Sequence, residues 1–380
     1  MGEYEPSWTG AVGVVMGTRP EVIKLEPIVA AMHEITGLRP VVISTGQQQS
    51  LLPRTMHELG LTADHTMKQI HGHGLPALVG GTVRGMGDLL RSLELSALVV
   101  QGDTATAIGA ALAAFYSGLP VVHVEAGLRS GDVCSPFPEE VNRRMITTVA
   151  SLHLAPTVEA RDNLLAEGVQ PRSIVVTGNT IVDAMHRRYQ PTSNEDWISR
   201  LAGSGRRIAV LTMHRRETWG PSMRAIAQAA GDVVARRGDT TLVVPAHPNP
   251  VVREALRPLL DCPDVIVTDA LPYGDFLRLL AAADVVLTDS GGIQEEAPSF
   301  GVPVLVLRDH TERPDGLTAG CATLVGTDPV MVRRLLWEVL EHPRRSSGHN
   351  PYGDGHASDR CLVAISDLVA AGSRPLVASA

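Results

Sequence analysis

Short apolar runs of strand length alternate with longer segments of helix length, and this alternation limits the fold more than any other feature. In the first half the runs are AVGVVM (11–16), PVVIS (40–44), ALVVQ (97–101) and PVVHV (120–124). In the second half they are RIAVLTM (207–213), TTLVVPA (240–246), DVIVTD (264–269), DVVLTD (284–289) and VPVLVL (302–307). Continuous apolar runs joined by helical segments are typical of parallel strands covered by helices on both faces. Each half therefore predicts one Rossmann-like, doubly wound α/β layer.

A polar stretch over residues 188–206 interrupts this alternation with RYQPTSNEDW and then GSGRR. A chain of 380 residues is long enough for two separate cores. We therefore predict an N-terminal domain over 1–188 and a second domain over 189–357. Two such sheets are expected to face a cleft, with ligands at the carboxyl ends of the strands.

Composition narrows the classes of function. Thirty-three basic against 41 acidic residues give a net charge of −8 and a pI near 6.0. This balance argues against nucleic acid and anionic lipid as partners. No apolar run approaches the roughly 18 residues of a membrane span, and MGEYEPSW has no signal-peptide pattern. Four widely spaced cysteines indicate reduced thiols. We expect a soluble, cytoplasmic protein.

The stretch TDSGGIQEEAPSFG follows one predicted strand directly. Gly291 and Gly292 let the backbone turn tightly and approach a ligand, and Ser290 adds a hydroxyl. Free N–H groups at the following helix start favour an anion such as phosphate. Glu295 and Glu296 lie about 100° apart on a helix, so only one can face a ligand, where it could bind ribose hydroxyls. The alternative is a glycine-rich turn whose acidic residues complement the helix dipole.

Cationic residues follow two other predicted strands. Arg19 and Lys24 come after AVGVVM, at a helix start where phosphate would fit. His214, Arg215 and Arg216 come after RIAVLTM. A histidine there could donate to a phosphate or transfer a proton near neutral pH. Solvated helix faces and a structural histidine are the alternatives.

Carboxylates at further strand ends are more informative, because a site that binds only polyanions does not need them. Asp103 and Glu125 each follow a strand, and Glu139 and Glu140 begin a helix. Such acids could exchange protons with a sugar or bind its hydroxyls. Alternatively, Asp103 caps the helix that starts near Thr104, and the two adjacent glutamates are favourable first-turn charges.

Seven motifs, taken together and in order, closely resemble the non-hydrolysing UDP-N-acetylglucosamine 2-epimerases. They are GTRPEVIK, GDTAT, HVEAGLRSGD, SPFPEEVNR, HRRET, DSGGIQEEAPSFGVPVLVLRDHTERPDG and NPYGDG, spread from about residue 12 to about residue 370. The resemblance implies the two-domain fold of B-type glycosyltransferases, with a C-terminal helix (358–380) that returns to the N-terminal domain. It also implies interconversion of UDP-GlcNAc and UDP-ManNAc, a homodimer, and no metal or redox cofactor.

The resemblance also implies roles for individual residues. Catalytic roles fall to Asp103, Glu125, Glu139 and His214. Nucleotide binding falls to Arg19, Lys24, Leu271, Phe276, Ser290, Gly291, Gly292, Glu296 and Arg313. Within this second set, Glu296 is the expected ribose ligand, and Phe276 with the backbone near Leu271 forms the uracil pocket. The expected reaction eliminates UDP to give 2-acetamidoglucal and then adds UDP back with C2 inverted.

Some positions depart from the family pattern. Gln48 and Gln49 stand where bacterial members usually carry His and Arg of a second, activating UDP-GlcNAc site, so we expect weak or no activation. His310 stands where a Thr is usual. His71 and His73 are a remote alternative as a metal pair. Other functions to be distinguished are a hydrolysing epimerase, a B-type glycosyltransferase and a catalytically silent UDP-sugar sensor.

Overall fold

The computed structural model describes residues 10–34, 37–47, 51–68, 70, 74–191, 196–215, 218–342 and 349–372. The described residues form two compact α/β units. The first contains the residues up to Ala184 together with those from Tyr352 onwards. The second runs from Met185 to Pro351.

The described residues of the first unit form a seven-stranded parallel sheet in the order β3-β2-β1-β4-β5-β6-β7. Its strands are β1 (Gly10–Met16), β2 (Leu38–Ser44), β3 (His65–Thr66), β4 (Ala97–Gln101), β5 (Val121–Val124), β6 (Leu152–Ala155) and β7 (Ile174–Val176). Its helices are α1 (Arg19–Glu34), α2 (Leu51–Glu58), α3 (Gly74–Leu90), α4 (Ala105–Tyr116), α5 (Glu139–Val149) and α6 (Val158–Ala166). Helix α7 (Thr180–Arg188) begins in this unit and ends in the second.

The described residues of the second unit form a six-stranded parallel sheet in the order β10-β9-β8-β11-β12-β13. Its strands are β8 (Arg207–Thr212), β9 (Thr240–Ala246), β10 (Val265–Asp269), β11 (Val285–Thr288), β12 (Val304–Val306) and β13 (Ala322–Leu324). Its helices are α8 (Trp197–Ala202), α9 (Pro221–Arg237), α10 (Pro250–Leu256), α11 (Tyr273–Ala282), α12 (Gly291–Glu296), α13 (Pro314–Thr318) and α14 (Pro329–Glu341).

The last helix, α15 (Ala357–Ala370), packs against α1 in the first unit. Its first turn is anchored by Asp183, whose carboxylate accepts hydrogen bonds from Ser358 N (2.7 Å), Ser358 Oγ (2.6 Å) and Ala357 N (3.2 Å). The backbone N–H groups of Ala357 and Ser358 lie in the first turn of the helix, where N–H groups have no hydrogen-bond partner within the helix. A carboxylate from another helix therefore replaces a local N-cap.

All strands predicted from the apolar runs are present, because their side chains are buried on both faces of a parallel sheet. Four further strands were not predicted: β3, β6, β7 and β13. They are two to four residues long, too short to show a period of their own. The prediction of two doubly wound α/β layers is confirmed.

Among the described residues, no helix has the length and apolar character that crossing a membrane requires.

Each sheet reverses its strand order near the middle. In the first unit, β1 and β4 are the neighbouring strands from which the later strands are added outward in opposite directions. In the second unit, β8 and β11 have this position. Connections that leave the carboxyl ends of two such strands diverge to opposite faces of the sheet and leave a crevice between them. The sheet topology therefore provides one candidate binding edge in each unit.

Candidate active site

Two predicted acids lie at the carboxyl edge of the first sheet, Asp103 after β4 at the reversal point and Glu125 after the neighbouring β5. Strands β4 and β5 are neighbours, with Gln101 opposite Val124, so Asp103 and Glu125 leave the same edge of the sheet. Glu125 has a φ of 62°, in the left-handed region. This conformation costs about 1–2 kcal/mol for a residue with a side chain. It occurs here at the residue that directly follows the strand, as is typical of functional sites.

The Glu125 carboxylate is buried, and its partners include a lysine and an asparagine. Its Oε2 contacts Nζ of Lys24 and accepts a hydrogen bond from Asn179 Nδ2 at 3.0 Å. The side chains of Lys24 and Glu125 are each 5% exposed. A buried carboxylate is tolerated only with such partners. Lys24 thus compensates the charge of a predicted catalytic acid, whereas its contact with a diphosphate stays a prediction. Sequence reasoning missed Asn179, although it follows the short strand β7.

Asp103 is held from helix α5. Its Oδ2 accepts a hydrogen bond from Arg143 Nη1 at 2.7 Å, and its backbone carbonyl accepts one from Asn142 Nδ2 at 2.7 Å. The interpretation that Asp103 caps α4 is wrong, because Thr104 is the N-cap and accepts from Ala107 N at 3.0 Å. The Asp103 side chain is 24% exposed and so remains accessible.

The two glutamates that begin α5 differ in their surroundings. Glu140 is fully buried and accepts hydrogen bonds from Arg143 (3.0 Å), Arg144 (3.1 Å) and the backbone N–H of Ser130 (3.0 Å). Burial acts to raise the pKa of Glu140, but these donors outweigh it and hold that pKa below its usual range. Glu140 is therefore a structural anion. Glu139 is only half-buried and begins the helix that carries Arg143.

The start of α1 is occupied by a carboxylate that sequence reasoning missed. Glu21 Oε2 accepts from the backbone N–H groups of Gly17 (2.7 Å) and Thr18 (2.6 Å), and its Oε1 accepts from Thr104 Oγ1 at 2.6 Å. Burial raises the pKa of Glu21. At this helix start, where we expected phosphate to fit, the backbone N–H groups of Gly17 and Thr18 therefore bind Glu21. Arg19, the first residue of α1, is half-buried.

His123 on β5 supports the Asp103 loop from beneath. It is fully buried, and its Nε2 lies 2.8 Å from the carbonyl oxygen of Gly102. Burial lowers the pKa of His123 to about 3, so the ring is neutral near pH 7 and Nε2–H is the donor. Gly102 has a φ of 66°. This hydrogen bond holds the residue directly before Asp103.

The reversal point of the second sheet brings together His214 and Asp289. They follow β8 and β11, which pair with Thr212 opposite Thr288. The Asp289 carboxylate is fully buried, and its Oδ1 lies 3.1 Å from Nδ1 of His214. The His214 side chain is 40% exposed. An aspartate thus orients the predicted catalytic histidine, which sequence reasoning did not anticipate.

Gly291 accommodates a side chain rather than a left-handed turn. Neither Gly291 nor Gly292 has a positive φ. A Cβ at 291 would lie 2.3 Å from Nη1 and 2.4 Å from Cζ of Arg313. Arg313 cannot easily withdraw, because its Nε donates to Glu295 at 2.7 Å and its Nη1 contacts Glu312. The explanation of a tight glycine turn at 291 is therefore wrong, and close packing of a guanidinium is the reason.

The remaining predicted nucleotide ligands lie around α12. Glu295 is engaged with Arg313, whereas Glu296 accepts a hydrogen bond from the hydroxyl of Tyr273 at 3.0 Å. Phe276 and Leu271 are half-buried against the apolar cluster that contains Ile293. Ser290 is the N-cap of α12, and its hydroxyl makes no capping hydrogen bond. This difference between the two glutamates supports the choice of Glu296 as the ligand-facing one, which stays a prediction.

Three arginines surround one buried glutamate in the second unit. Glu312 lies 3.6 Å from Arg215 and 2.7 Å from Arg308, and it also contacts Arg313. Arg215 Nε donates to the backbone carbonyl of Asp289 at 3.0 Å. Because Arg313 also pairs with the buried Glu295, these guanidinium groups compensate at least two buried carboxylates.

Some sequence positions lie outside the described residues. They are Gln48, Gln49, His71, His73 and Arg216. His310 is described and exposed. Within the described ranges, no group of three or more His, Cys, Asp or Glu side chains is arranged to hold a metal ion.

Comparison with known proteins identifies the family. The family model for UDP-N-acetylglucosamine 2-epimerase matches residues 30–366. The chain belongs to the UDP-N-acetylglucosamine 2-epimerase family. It is 40% identical over 364 residues to the UDP-N-acetylglucosamine 2-epimerase of Escherichia coli K12, covering 92% of this chain and 97% of that protein.

Solved structures of epimerases share the fold over nearly the whole chain. The structure of Staphylococcus aureus MnaA with UDP matches with a TM-score of 0.91 at 35% identity, covering 98% of this chain and 100% of that one. The Neisseria meningitidis UDP-GlcNAc 2-epimerase bound to UDP-GlcNAc matches with a TM-score of 0.89 at 33% identity, covering 94% and 100%. The predicted fold class, shared with B-type glycosyltransferases, is confirmed.

Proposed function

We propose that this epimerase is of the non-hydrolysing type and interconverts UDP-GlcNAc and UDP-ManNAc. The observation that carries the proposal is the arrangement of Asp103 and Glu125 at the ends of neighbouring strands. Each has its own cationic partner, Arg143 for Asp103 and Lys24 for Glu125. Two acids in different surroundings are the arrangement that allows one to accept a proton while the other donates one.

The chemistry of the sugar explains why acids are needed beside a nucleotide. C2 carries no acidic proton, because no carbonyl group is adjacent in the ring. The C1–O bond therefore breaks, with its electron pair passing to the UDP oxygen, while a carboxylate removes the proton from C2. The product is 2-acetamidoglucal with a C1–C2 double bond. Re-addition of UDP, with a proton delivered to the opposite face of C2, completes the inversion.

In this proposal the acids of the first unit act on the sugar. Asp103, Glu125 and Glu139 exchange the C2 proton and stabilise positive charge near C1. Lys24 and Arg143 hold two of these carboxylates in place. Asp103 and Glu139 are half-buried rather than fully buried, which supports their proposed contact with the sugar.

The second unit then binds the nucleotide. His214, Arg313 and, from α1, Arg19 stabilise the departing diphosphate, with Ser290, Gly291 and Gly292 adjacent to it. Glu296 binds the ribose hydroxyls, and Phe276 and Leu271 hold the uracil. The ligands named for the Staphylococcus and Neisseria structures support a uridine nucleotide as the ligand class. Neither a metal nor a redox cofactor takes part in the proposed steps.

We propose further that the protein is a cytoplasmic homodimer. Its first domain comprises residues 1–188 joined by the C-terminal helix 358–380, and its second domain comprises residues 189–357.

Activation by UDP-GlcNAc is proposed to be weak or absent, because Gln48 and Gln49 replace the usual His and Arg. Initial rates should therefore follow a hyperbola in UDP-GlcNAc. A sigmoidal dependence, or a need for UDP-GlcNAc when the reaction starts from UDP-ManNAc, contradicts this part.

Incubation of the protein with UDP-GlcNAc in D2O tests the reaction. Deuterium at C2 together with UDP-ManNAc is the expected result. Free ManNAc and UDP would indicate the hydrolysing reaction, and transfer of an unaltered sugar to an acceptor would indicate a glycosyltransferase. Asp103→Asn and Glu125→Gln should each lower kcat by about 10²-fold or more. The matched control Glu94→Gln, at an exposed acid, should retain full activity.

A further inference from the structure

Asp289 has a geometry that determines where its neighbour carries a proton. Its Oδ2 accepts hydrogen bonds from the backbone N–H groups of His214 and Arg215, at 2.9 and 3.0 Å, and its Oδ1 shares the His214 N–H at a longer distance of 3.2 Å. Its Oδ1 lies 3.1 Å from Nδ1 of the His214 ring. Burial acts to raise the pKa of Asp289, but the hydrogen bonds and charge of His214 outweigh it and hold the pKa below its ordinary value. The group is therefore a carboxylate, which only accepts hydrogen bonds.

A carboxylate beside Nδ1 requires a proton on that nitrogen. Neutral imidazole carries one proton, so Nε2 then has none and can only accept. When the ring is charged, Nε2–H becomes a donor. Because Nδ1 faces a buried carboxylate and the side chain is 40% exposed, Nε2 is left on the accessible side of the ring. The ring of His247 stacks on that of His214, with centroids 5.9 Å apart.

We propose that Asp289 is a positioning residue that fixes the Nδ1–H tautomer of His214 and so makes Nε2 the nitrogen that meets the departing diphosphate. The proposal rests on the proposed epimerase function. In the charged ring, Nε2–H donates a hydrogen bond to the phosphate oxygen that takes the electron pair of the C1–O bond. Asp289 balances the charge of the ring while this bond forms.

The backbone contacts predict what an amide at this position would do. In Asp289→Asn, the oxygen is favoured at the place of Oδ2, which accepts two backbone N–H groups at 2.9 and 3.0 Å, over the place of Oδ1, which shares one of them at 3.2 Å, so the NH2 group takes the place of Oδ1. It then faces Nδ1, which has to accept, and the single proton of neutral His214 moves to Nε2. The substitution keeps the size of the side chain while reversing the tautomer.

The test combines nitrogen NMR with turnover. Wild type and Asp289→Asn are labelled with 15N-histidine, the His214 signals are assigned with His214→Gln, and spectra are recorded at about pH 8.5, where an ordinary histidine is neutral. We expect Nδ1–H in the wild type and Nε2–H in Asp289→Asn. The turnover of UDP-GlcNAc by Asp289→Asn should fall by about 10²-fold.

Asp284→Asn is the matched control. This carboxylate also joins the strands β8 and β11, accepting from Ile208 N at 2.8 Å, but at their opposite end. Its kcat should stay within about twofold of the wild type, as is usual for a substitution away from the site.

Three results would overturn the proposal. They are an Nε2–H tautomer in the wild type, a reversed tautomer in Asp289→Asn with unchanged kcat, and a loss of kcat without any change of tautomer. The wild-type spectrum needs only His214→Gln for its assignment, and an Nε2–H tautomer there overturns the proposal even if Asp289→Asn does not fold. If the wild type forms no UDP-ManNAc, the proposed function fails, and the spectra still decide whether Asp289 sets the tautomer.

Discussion

Burial of the neutral His123 ring should make the fold less stable in acid, because the unfolded chain binds a proton there more readily than the folded chain does. Its pKa is lowered to about 3 by burial in the folded state, against about 6.5 for an ordinary histidine. Between these values the unfolded chain binds a proton at His123 and the folded chain does not. Stability from this residue is therefore fully present above about pH 6.5 and is lost as the pH falls. The loss is about 1.4 kcal/mol for each pH unit, or about 5 kcal/mol at its limit.

His123→Gln removes the titration and keeps the hydrogen bond, because the Gln amide can donate to the carbonyl of Gly102 as Nε2 does. Urea unfolding of both proteins at about pH 7.5, 6 and 5 gives the difference in unfolding free energy. Between pH 7.5 and 5, the wild type should lose about 2 kcal/mol more than the variant. All other titrating groups are common to the two proteins and cancel.

A difference that stays constant over this pH range would refute the reasoning, as would a wild type that gains stability relative to the variant in acid. If His123→Gln does not fold, His123→Leu provides the same comparison, since it also lacks the titrating ring. His123→Leu additionally loses the bond to Gly102, so we expect a lower kcat than in His123→Gln.

Three further substitutions test contacts in the two units. Lys24→Met should lower the unfolding free energy by about 3–5 kcal/mol, because it leaves a buried carboxylate without its cation. Urea unfolding of Lys68→Met, an exposed lysine, is the control and should change by less than about 0.5 kcal/mol. Gly291→Ala should lower the unfolding free energy by about 1–3 kcal/mol, because its methyl group meets a fixed guanidinium. Gly292→Ala, whose methyl group has no neighbour closer than 4.0 Å, is the control, and equal losses of stability in urea unfolding would contradict this. Asp183→Ala should lower the unfolding free energy by about 1–3 kcal/mol, because the first turn of the last helix loses its hydrogen bonds to the Asp183 carboxylate. An unchanged melting temperature would refute this.

The elements of the fold that sequence reasoning reached are those with a local signal. Apolar runs such as 97–101 and 285–288 are continuous because both faces of a parallel strand are covered, so their pattern survives without knowledge of the partner strands. For the same reason Asp103 and Glu125 were recognised as strand-end acids. Short strands such as β7 carried too few residues for a pattern, and Asn179 beyond it was missed.

The partners of those acids were decided by the tertiary structure. Lys24 and Glu125 are 101 residues apart in the chain, and His214 and Asp289 are 75 apart. Periodicity describes which face of an element is buried, but it does not say which element covers it. The sequence by itself therefore determined three things: its apolar runs gave the α/β layers, its motifs gave the family resemblance, and its strand ends gave the candidate acids. Only the tertiary structure, through the order of strands in each sheet, placed each of these acids beside its partner. The physical reason is that the cost of burying an ion depends on the groups that lie next to it in space, which can be far away in the chain.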